Sequence, residues 1–253
     1  RKVVTDVYKT VSYYGYYKKT NRCQWILVMM LQQLEMFKKD QQLVLIGDYV
    51  VKQIEYKETK PFILDIHYAK RMPSISFAYG LFLNNTLVGM VSYGSPPSPS
   101  LCKGIAGESN KHLVIELNRL VLKNNKKNEA SILISSSFKL LPKPKIIVSY
   151  ADTEQNHLGI VYQATNFLYT GLSDKRKEWR IKNSNLHSKT VCEKYTLNER
   201  KFNADKFIQI ERPRKHRYIY LIGNKTEKKQ LKKQLKYKQL DYPKGFSYEQ
   251  VQK

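Results

Sequence analysis

The sequence predicts an α/β fold with one mixed central sheet flanked by helices. Three observations lead to it: a β-hairpin with a two-residue turn, a wholly apolar strand, and helical segments between the strands. The chain has 253 residues, 42% hydrophobic and 12% aromatic, so it can bury a sizeable core and global disorder is excluded. The predicted elements are strand Tyr49–Ile54, helix Glu58–Tyr68, hairpin strands Ser76–Leu83 and Thr86–Tyr93, strand His112–Leu122, helix Asn128–Leu140, strand Lys145–Tyr150, helix Leu158–Leu168, and a strand beginning at Trp179–Ile181.

Turn and helix signals predict the first half of this order. Residues 49–54 (YVVKQI) have β-like composition, and Pro61 is interpreted as a first-turn proline of the helix that follows. Asn84 and Asn85 separate the two hairpin strands and tolerate the positive φ angles of a tight turn. The proline-rich segment 94–100 is expected to be a stiff loop that shapes a pocket.

Hydrophobic patterning predicts the second half. Polar residues interrupt the apolar strand at 112–122, and the helix at 128–140 carries apolar residues on its faces. Residues 145–150 (KIIVSY) are apolar, which is typical of a strand in a sheet covered on both faces. Gly171 is interpreted as the stop signal of the last helix.

Composition divides the chain into three parts. Residues 1–48 are predicted to be an N-terminal extension with a docking helix at about 24–39. Residues 49–222 are predicted to form the main domain, and residues 223–253 a basic C-terminal extension. The three cysteines lack CxxC spacing, which argues against a disulfide scaffold or a structural zinc site.

The net charge of +24 predicts a polyanionic partner, for which nucleic acid is the leading candidate. A Lys-biased composition from an AT-rich genome is the alternative explanation. No apolar run reaches the ~20 residues of a membrane span, and no signal peptide is visible at the start. We therefore expect no membrane partner and a cytoplasmic location.

Residues 211–244 hold 12 Lys and Arg against three acidic residues, with tyrosines between them, a mixture suited to phosphates and bases. A solvated Lys-rich helix at 225–236 is the alternative. The cations expected to contact nucleic acid are Arg71, Arg212, Arg214, Lys215, Arg217, Lys228, Lys229, Lys232 and Lys233.

One candidate site lies where strand 145–150 ends. Asp152 follows that strand, at the edge where open α/β sheets collect ligands, and could accept a proton from an attacking amine. Tyr162, on the next helix, is a neutral proton donor and acceptor near the same crevice. The alternatives are a helix N-cap for Asp152 and a core aromatic for Tyr162. His67 and Tyr68 end the first helix and become candidates if the fold brings them to this crevice.

Nucleotide-cofactor loops are missing from the sequence. Neither GxxxxGK[ST] nor GxGxxG occurs, so a nucleotide cofactor is not expected. The five histidines form no HxxxH or HxH pair, and a metal requirement stays open.

Five segments, taken in order, carry a resemblance to a known family: HYAKRMPSISFAYGLF (67–82), LVGMVSYGSPPSPSL (87–101), IELNRLVL (115–122), SYADTEQNHLGIVYQATNFLYTG (149–171) and RKHRYIYLIG (214–223). Together they resemble the Mom family of phage DNA-modification proteins. The element order and YQATNFLYTG (162–171) also resemble the GNAT acyltransferase fold. The resemblance implies a GNAT-like catalytic domain over 49–222.

The resemblance further implies a transferase that adds a carbamoylmethyl (acetamido) group to the N6 amine of adenine in double-stranded DNA and so protects phage DNA from host restriction. It implies catalytic roles for His67, Tyr68, Asp152 and Tyr162, and substrate-binding roles for Arg119 and Ser131. Polar neighbours on the same segments are expected to contact substrate as well: Glu116, Asn118, Ser149 and His157.

One departure from the GNAT pattern bears on the donor. Acetyl-CoA users have glycines in the loop that binds pyrophosphate, whereas Lys123–Glu129 has none. Acetyl-CoA is therefore not expected, and a glycine-derived donor is the chemically natural one, since the modification contains a glycyl skeleton. A conventional N-acetyltransferase and a non-catalytic nucleic-acid-binding protein remain the alternative functions.

Overall fold

The computed structural model describes residues 43–184, 186 and 188–244. The helix expected at about 24–39 lies outside these residues. The strands are β1 Leu43–Ile46, β2 Tyr49–Gln53, β3 Phe77–Leu83, β4 Thr86–Gly94, β5 Val114–Leu122, β6 Lys145–Asp152, β7 Leu168–Leu172, β8 Arg176–Ile181, β9 Phe207–Arg212 and β10 Lys215–Ile222. The helices are α1 Tyr56–Pro61, α2 Pro99–Asn110, α3 Glu129–Leu140, α4 Ile160–Ala164, α5 Ser188–Lys194, α6 Leu197–Phe202 and α7 Lys225–Gln234.

Eight strands form one mixed sheet in the order β1-β2-β3-β4-β5-β6-β10-β7. Neighbouring strands are antiparallel except β5 and β6, which are parallel. This confirms the α/β class with a mixed central sheet flanked by helices. The predicted hairpin is also confirmed, and both turn residues, Asn84 and Asn85, have positive φ.

The parallel pair separates part-way along its length. Val114–Glu116 pairs with Ile146–Val148, and beyond that point β5 stays with β4 while β6 stays with β10. The separation leaves the carboxyl end of β6 open, and the crevice described below lies there.

Both faces of β6 are buried, as its apolar sequence predicts. Ile147 packs with Leu133, Ile134 and Phe138 of α3. Ile146 and Val148, on the other face, pack in the cluster that contains Ile105 of α2 and Leu231 of α7. Burial of this strand on both faces fixes the position of its last residue, Asp152.

Two helix predictions need correction. The helix expected at 158–168 is only Ile160–Ala164, because Gly159 before it (φ 71°) and Asn166 after it (φ 60°) are left-handed. Gly171 is no helix stop, since it lies within β7. Gly159 has no room for a side chain, because a Cβ there would lie 2.5 Å from the Tyr218 ring.

Segments 56–66 and 94–100 also differ from the prediction. Pro61 ends the α-helical part of the first helix, and Phe62–Ile66 continues it as a π-helix. Proline has no N–H for the regular ladder, which accounts for the change. Segment 94–100 is not all loop, because Ser98 caps α2 and Pro99 opens it.

The sheet extends beyond both predicted boundaries of the main domain. β1 precedes residue 49 and pairs with β2. On the C-terminal side, α7 packs against β10, and Leu240 bridges to Tyr169 of β7. Residues 225–240 are therefore part of the folded domain, and the predicted Lys-rich helix is present.

Candidate active site

The separated strands β5 and β6 border a crevice of about 1020 Å³. Eleven of the residues singled out from the sequence line it together. They are His67, Tyr68, Glu116, Asn118, Arg119, Asp152, His157, Tyr162, Arg212, Lys215 and Arg217. They come from the turn that follows the first helix, from β5, from β6 and α4 with the residues between them, and from the start of β10 with the residues before it. The topology thus brings together side chains that lie far apart in sequence.

His67 and Tyr68 form the first wall. Their rings stack with centroids 4.4 Å apart, and Nδ1 of His67 accepts the N–H of Ala69 at 3.0 Å. Burial, with the charges of Arg119 and His157, lowers the pKa of His67 to about 4. The imidazole is therefore neutral at pH 7, and its Nε2 carries the proton.

Asp152 has three polar partners at the end of β6. Its Oδ2 accepts from Nζ of Lys215 at 2.6 Å, and its Oδ1 accepts from the N–H of Glu154 at 3.2 Å. Burial and a hydrogen bond to Asp152 raise the pKa of the Tyr68 hydroxyl. The bond to Glu154 is the N-cap interaction anticipated for this residue, and Asp152 lines the crevice as well.

Glu116 lies on the last paired rung of β5 and β6. Burial raises its pKa to about 7, although the positive charges of Arg119, Lys215 and Arg212 oppose the shift. A carboxyl group that titrates near neutral pH suits a general base. The sequence suggested only a substrate contact here, since nothing in it reports how far the fold shields this side chain from water.

Arg119 is held by backbone carbonyls. Its two terminal nitrogens donate to the carbonyl oxygens of Asn118 (2.6 Å) and Arg71 (2.9 Å). Its Nε is buried and has no hydrogen-bond partner among the described residues. Asn118 joins two segments, donating to Ser74 O and accepting from the Ser92 hydroxyl, each at 2.7 Å.

Tyr162 is buried against Phe167 and Tyr218, with ring centroids 5.2 Å away in each case. Burial raises its pKa to about 12, and the Ser149 hydroxyl is its hydrogen-bonding neighbour. Ser149 also donates to Leu117 O of β5 at 3.0 Å. Tyr162 is therefore both a core aromatic and a neutral phenol at the crevice.

Some predicted residues lie elsewhere. Ser131, on α3, lines a separate cleft with Phe138 and Tyr220, and its hydroxyl donates to Asn128 O. The predicted phosphate-contacting lysines of α7 are exposed, away from the crevice lining. They are Lys228, Lys229, Lys232 and Lys233.

The three arginines of segment 212–217 differ in their surroundings. Arg212 is exposed at the crevice, whereas Arg214 donates to the carbonyl oxygen of Ser173. Arg217 is buried, donates to Thr170 and lies 3.4 Å from the ring centroid of Tyr237. Arg217 therefore lines the crevice with its guanidinium held by Thr170 and Tyr237, and its predicted contact with nucleic acid stays a prediction.

The crevice residues that were not predicted include Arg176 of β8 and Tyr237 after α7. Their only signal in the sequence was membership of basic and aromatic-rich segments.

Among the described residues, no group of three or more His, Cys, Asp or Glu side chains is arranged to hold a metal ion. No helix described for 43–244 is long and apolar enough to span a membrane.

Comparison with known proteins places the chain in a family. The model of the Mom protein family matches residues 48–244, which include every crevice residue named above. The chain belongs to the Mom family. A curated relative, the methylcarbamoylase mom of Escherichia phage Mu, is 31% identical over 111 residues, covering 42% of this chain and 46% of the relative. The aligned region thus spans about half of that relative.

Solved structures similar to this Mom-family chain include two bacterial acetyltransferases. A probable acetyltransferase from Staphylococcus epidermidis is 10% identical, with a TM-score of 0.41 over 69% of this chain and 99% of that one. An N-acetyltransferase from Staphylococcus aureus is 13% identical, with a TM-score of 0.39 over 70% of this chain and 100% of that one.

Proposed function

We propose that this chain is a transferase that modifies the N6 amine of adenine in DNA with a carbamoylmethyl group. One observation carries the proposal: the Mom-family match encloses the whole crevice. A carboxyl group in the crevice whose pKa is raised to about 7 by burial supports it. The name of the phage Mu relative, methylcarbamoylase, indicates transfer of a small amide-bearing group by that protein.

Adenine N6 is a poor nucleophile, because its lone pair is delocalised into the ring. As the N6–carbon bond forms, the bond between the donor's methylene carbon and its leaving group breaks, and N6 must lose a proton. Glu116 is the group best suited to take that proton near neutral pH. Asp152 is already engaged by Lys215 and Tyr68, so its role is that of a hydrogen-bond acceptor that orients the amine.

The remaining crevice groups are suited to the transferred group. Arg119 Nε, buried without an acceptor among the described residues, can donate to the amide carbonyl of the donor. The neutral phenol of Tyr162 can give a proton to the leaving group. The neutral imidazole of His67 can donate from Nε2 and adds no positive charge beside Arg119.

Access to N6 requires the adenine to leave the duplex stack. A crevice of about 1020 Å³ is large enough for one base together with a small donor. Arg176 and Arg212 lie at this crevice and can neutralise the phosphates that flank a flipped nucleotide. Double-stranded DNA in the cytoplasm of a bacterial host is the substrate and setting that we propose.

Mass spectrometry of nucleosides from cells that express the chain tests the proposal. Digested DNA should contain a deoxyadenosine that is heavier by one acetamido group. Fragmentation should give N6–CH2–CO–NH2 rather than the isomeric N6–CO–NH–CH3. DNA from cells expressing Glu116→Gln is the matched control. Unmodified deoxyadenosine alone, with folded wild-type protein present, would contradict the proposal.

A further inference from the structure

The structure contains an insertion that has no role in the sheet. Residues 173–214 leave the sheet after β7 and return at β10, and these two strands are neighbours. Hydrogen bonds fix the two ends of the insertion, where the chain leaves the sheet and re-enters it. Ser173 N–H donates to Lys215 O at 2.8 Å, Lys215 N–H donates to the Ser173 hydroxyl at 2.9 Å, and Arg214 Nε donates to Ser173 O at 2.6 Å.

The insertion contains a two-stranded ribbon, β8 and β9, and the helices α5 and α6 between those strands, which pack on one face of the ribbon, its inner face. Cross-strand partners in an antiparallel pair share a face. On the inner face Phe207 is buried and packs against Tyr195 of the α5–α6 segment at 5.0 Å. On the same face the guanidinium of Arg200 lies 5.8 Å from the Trp179 ring centroid.

The outer face combines arginines with exposed isoleucines. Ile208 and Ile210 are 44% and 38% exposed. Glu178 holds Arg180, accepting from its Nε at 2.8 Å, and lies 4.0 Å from Arg212. The cross-strand pairs on this face are Arg176 with Arg212, Glu178 with Ile210, and Arg180 with Ile208.

This outer face is continuous with the crevice. Arg176 and Arg212 line the crevice and are also the ribbon's first cross-strand pair. From Arg212 the face runs about 13 Å to Ile208, at about 3.3 Å per residue. We propose that the outer face of the β8–β9 ribbon docks on duplex DNA next to the adenine that enters the crevice. This inference rests on the proposed function, since it specifies how that substrate is held.

Charge and shape favour DNA as the occupant. Residues 173–214 contain 12 Lys and Arg and six Asp and Glu, so the insertion carries a net charge of +6. A two-stranded ribbon fits the major groove, which is about 12 Å wide. Exposed isoleucines suit contact with thymine methyl groups or unstacked bases, and arginines suit phosphates and guanine edges. A second copy of the chain would bring two basic ribbons together.

Binding of a fluorescent duplex by the full chain tests the inference through a matched pair of variants. Ile210→Glu adds one negative charge to the outer face, and Gln209→Glu adds the same charge to the inner face at the next position. Ile210→Glu should weaken duplex binding by about tenfold or more, because the new carboxylate repels the DNA phosphates. Gln209→Glu should stay within about twofold of wild type, as expected for a charge that does not face the DNA.

Arg180→Gln provides a second test, which does not require the fold to accept a new charge at position 210. Removing one phosphate-neutralising cation should lower the slope of log affinity against log salt by about 0.9. Equal affinities of Ile210→Glu and Gln209→Glu, or an unchanged slope for Arg180→Gln, would overturn the inference. So would a wild-type dimer that Ile210→Glu dissociates while its duplex affinity is retained.

Different results would contradict the proposed adenine modification and the proposed docking of the ribbon on DNA. If the wild type leaves DNA unmodified but Ile210→Glu loses duplex affinity, the adenine chemistry is wrong and the ribbon surface stands. If modified adenine is found while the ribbon variants bind normally, the ribbon inference alone is wrong.

Discussion

The ammonium of Lys215 lies 2.6 Å from Oδ2 of Asp152, and the two residues are cross-strand partners on β10 and β6. This ion pair connects the end of the apolar strand to the basic segment 211–244. The two features, separate in the sequence, meet in one crevice. In the proposed mechanism, Asp152 is an acceptor held by Lys215, and Glu116, whose pKa is raised to about 7 by burial, is the group that takes the proton.

Asp152→Ala should lower adenine modification by about 10²–10⁴-fold without unfolding the chain, because it removes a positioned acceptor. Lys215→Met should also lower it, by releasing the Asp152 carboxylate. The double variant should be no worse than Asp152→Ala, since both changes remove one interaction. The rate of single-turnover modification, measured for the wild type and all three variants, completes this double-mutant cycle. Additive losses would show that Lys215 acts independently of Asp152.

Glu116→Gln should abolish the rise of activity with pH that a base of pKa about 7 produces. It should also stabilise the protein. A carboxyl group whose pKa is 4.5 unfolded and about 7 folded takes up protons on folding, so the stability it contributes falls as pH rises from about 4.5 to 7.

Well above pH 7 that loss is complete, and Glu116→Gln should raise the free energy of unfolding by about 3 kcal/mol. Urea denaturation at pH 5 and pH 8 measures the effect, which should be much smaller at pH 5. A variant less stable than wild type at pH 8 would show that the carboxylate is paired in the fold.

Tyr162→Phe should reduce modification by about 10²-fold or more and leave stability nearly unchanged, because the ring keeps its contacts with Phe167 and Tyr218. Tyr79→Phe is the matched control. Tyr79 is likewise buried, and burial raises its pKa to about 12, but it does not line the crevice. Equal activity of the two variants would remove Tyr162 from the mechanism.

Turn chemistry and hydrophobic patterning predicted those elements whose conformation depends on residues close together in the sequence. The Asn84–Asn85 turn and strand 145–150 were predictable, because backbone conformation and burial on both faces leave direct patterns. The lengths of α1 and α4 were not, since they depend on contacts such as that of Gly159 with Tyr218. The stack of Arg217 on Tyr237 and the burial of Glu116 arise only when distant segments pack together.

Acetyl-CoA should not bind productively. Residues 123–129 (KNNKKNE) contain no glycine to let backbone amides approach a pyrophosphate, and Asn128 is left-handed just before α3. Calorimetry of the full chain with acetyl-CoA should give no micromolar binding. A micromolar dissociation constant, together with acetylated product, would restore the N-acetyltransferase alternative.

The exposed lysines of α7 should contribute affinity for DNA without sequence preference, because flexible ammonium groups make point contacts with phosphates rather than paired contacts with bases. Replacing Lys228, Lys229, Lys232 and Lys233 together with Gln should weaken binding equally on duplexes of different sequence. The slope of log affinity against log salt should fall by up to about 3–4, at about 0.9 for each phosphate that is no longer neutralised. An unchanged slope would make α7 a solvated helix whose role is to cover β10 through Leu231. A changed sequence preference would instead mean that α7 enters a groove, in competition with the β8–β9 ribbon.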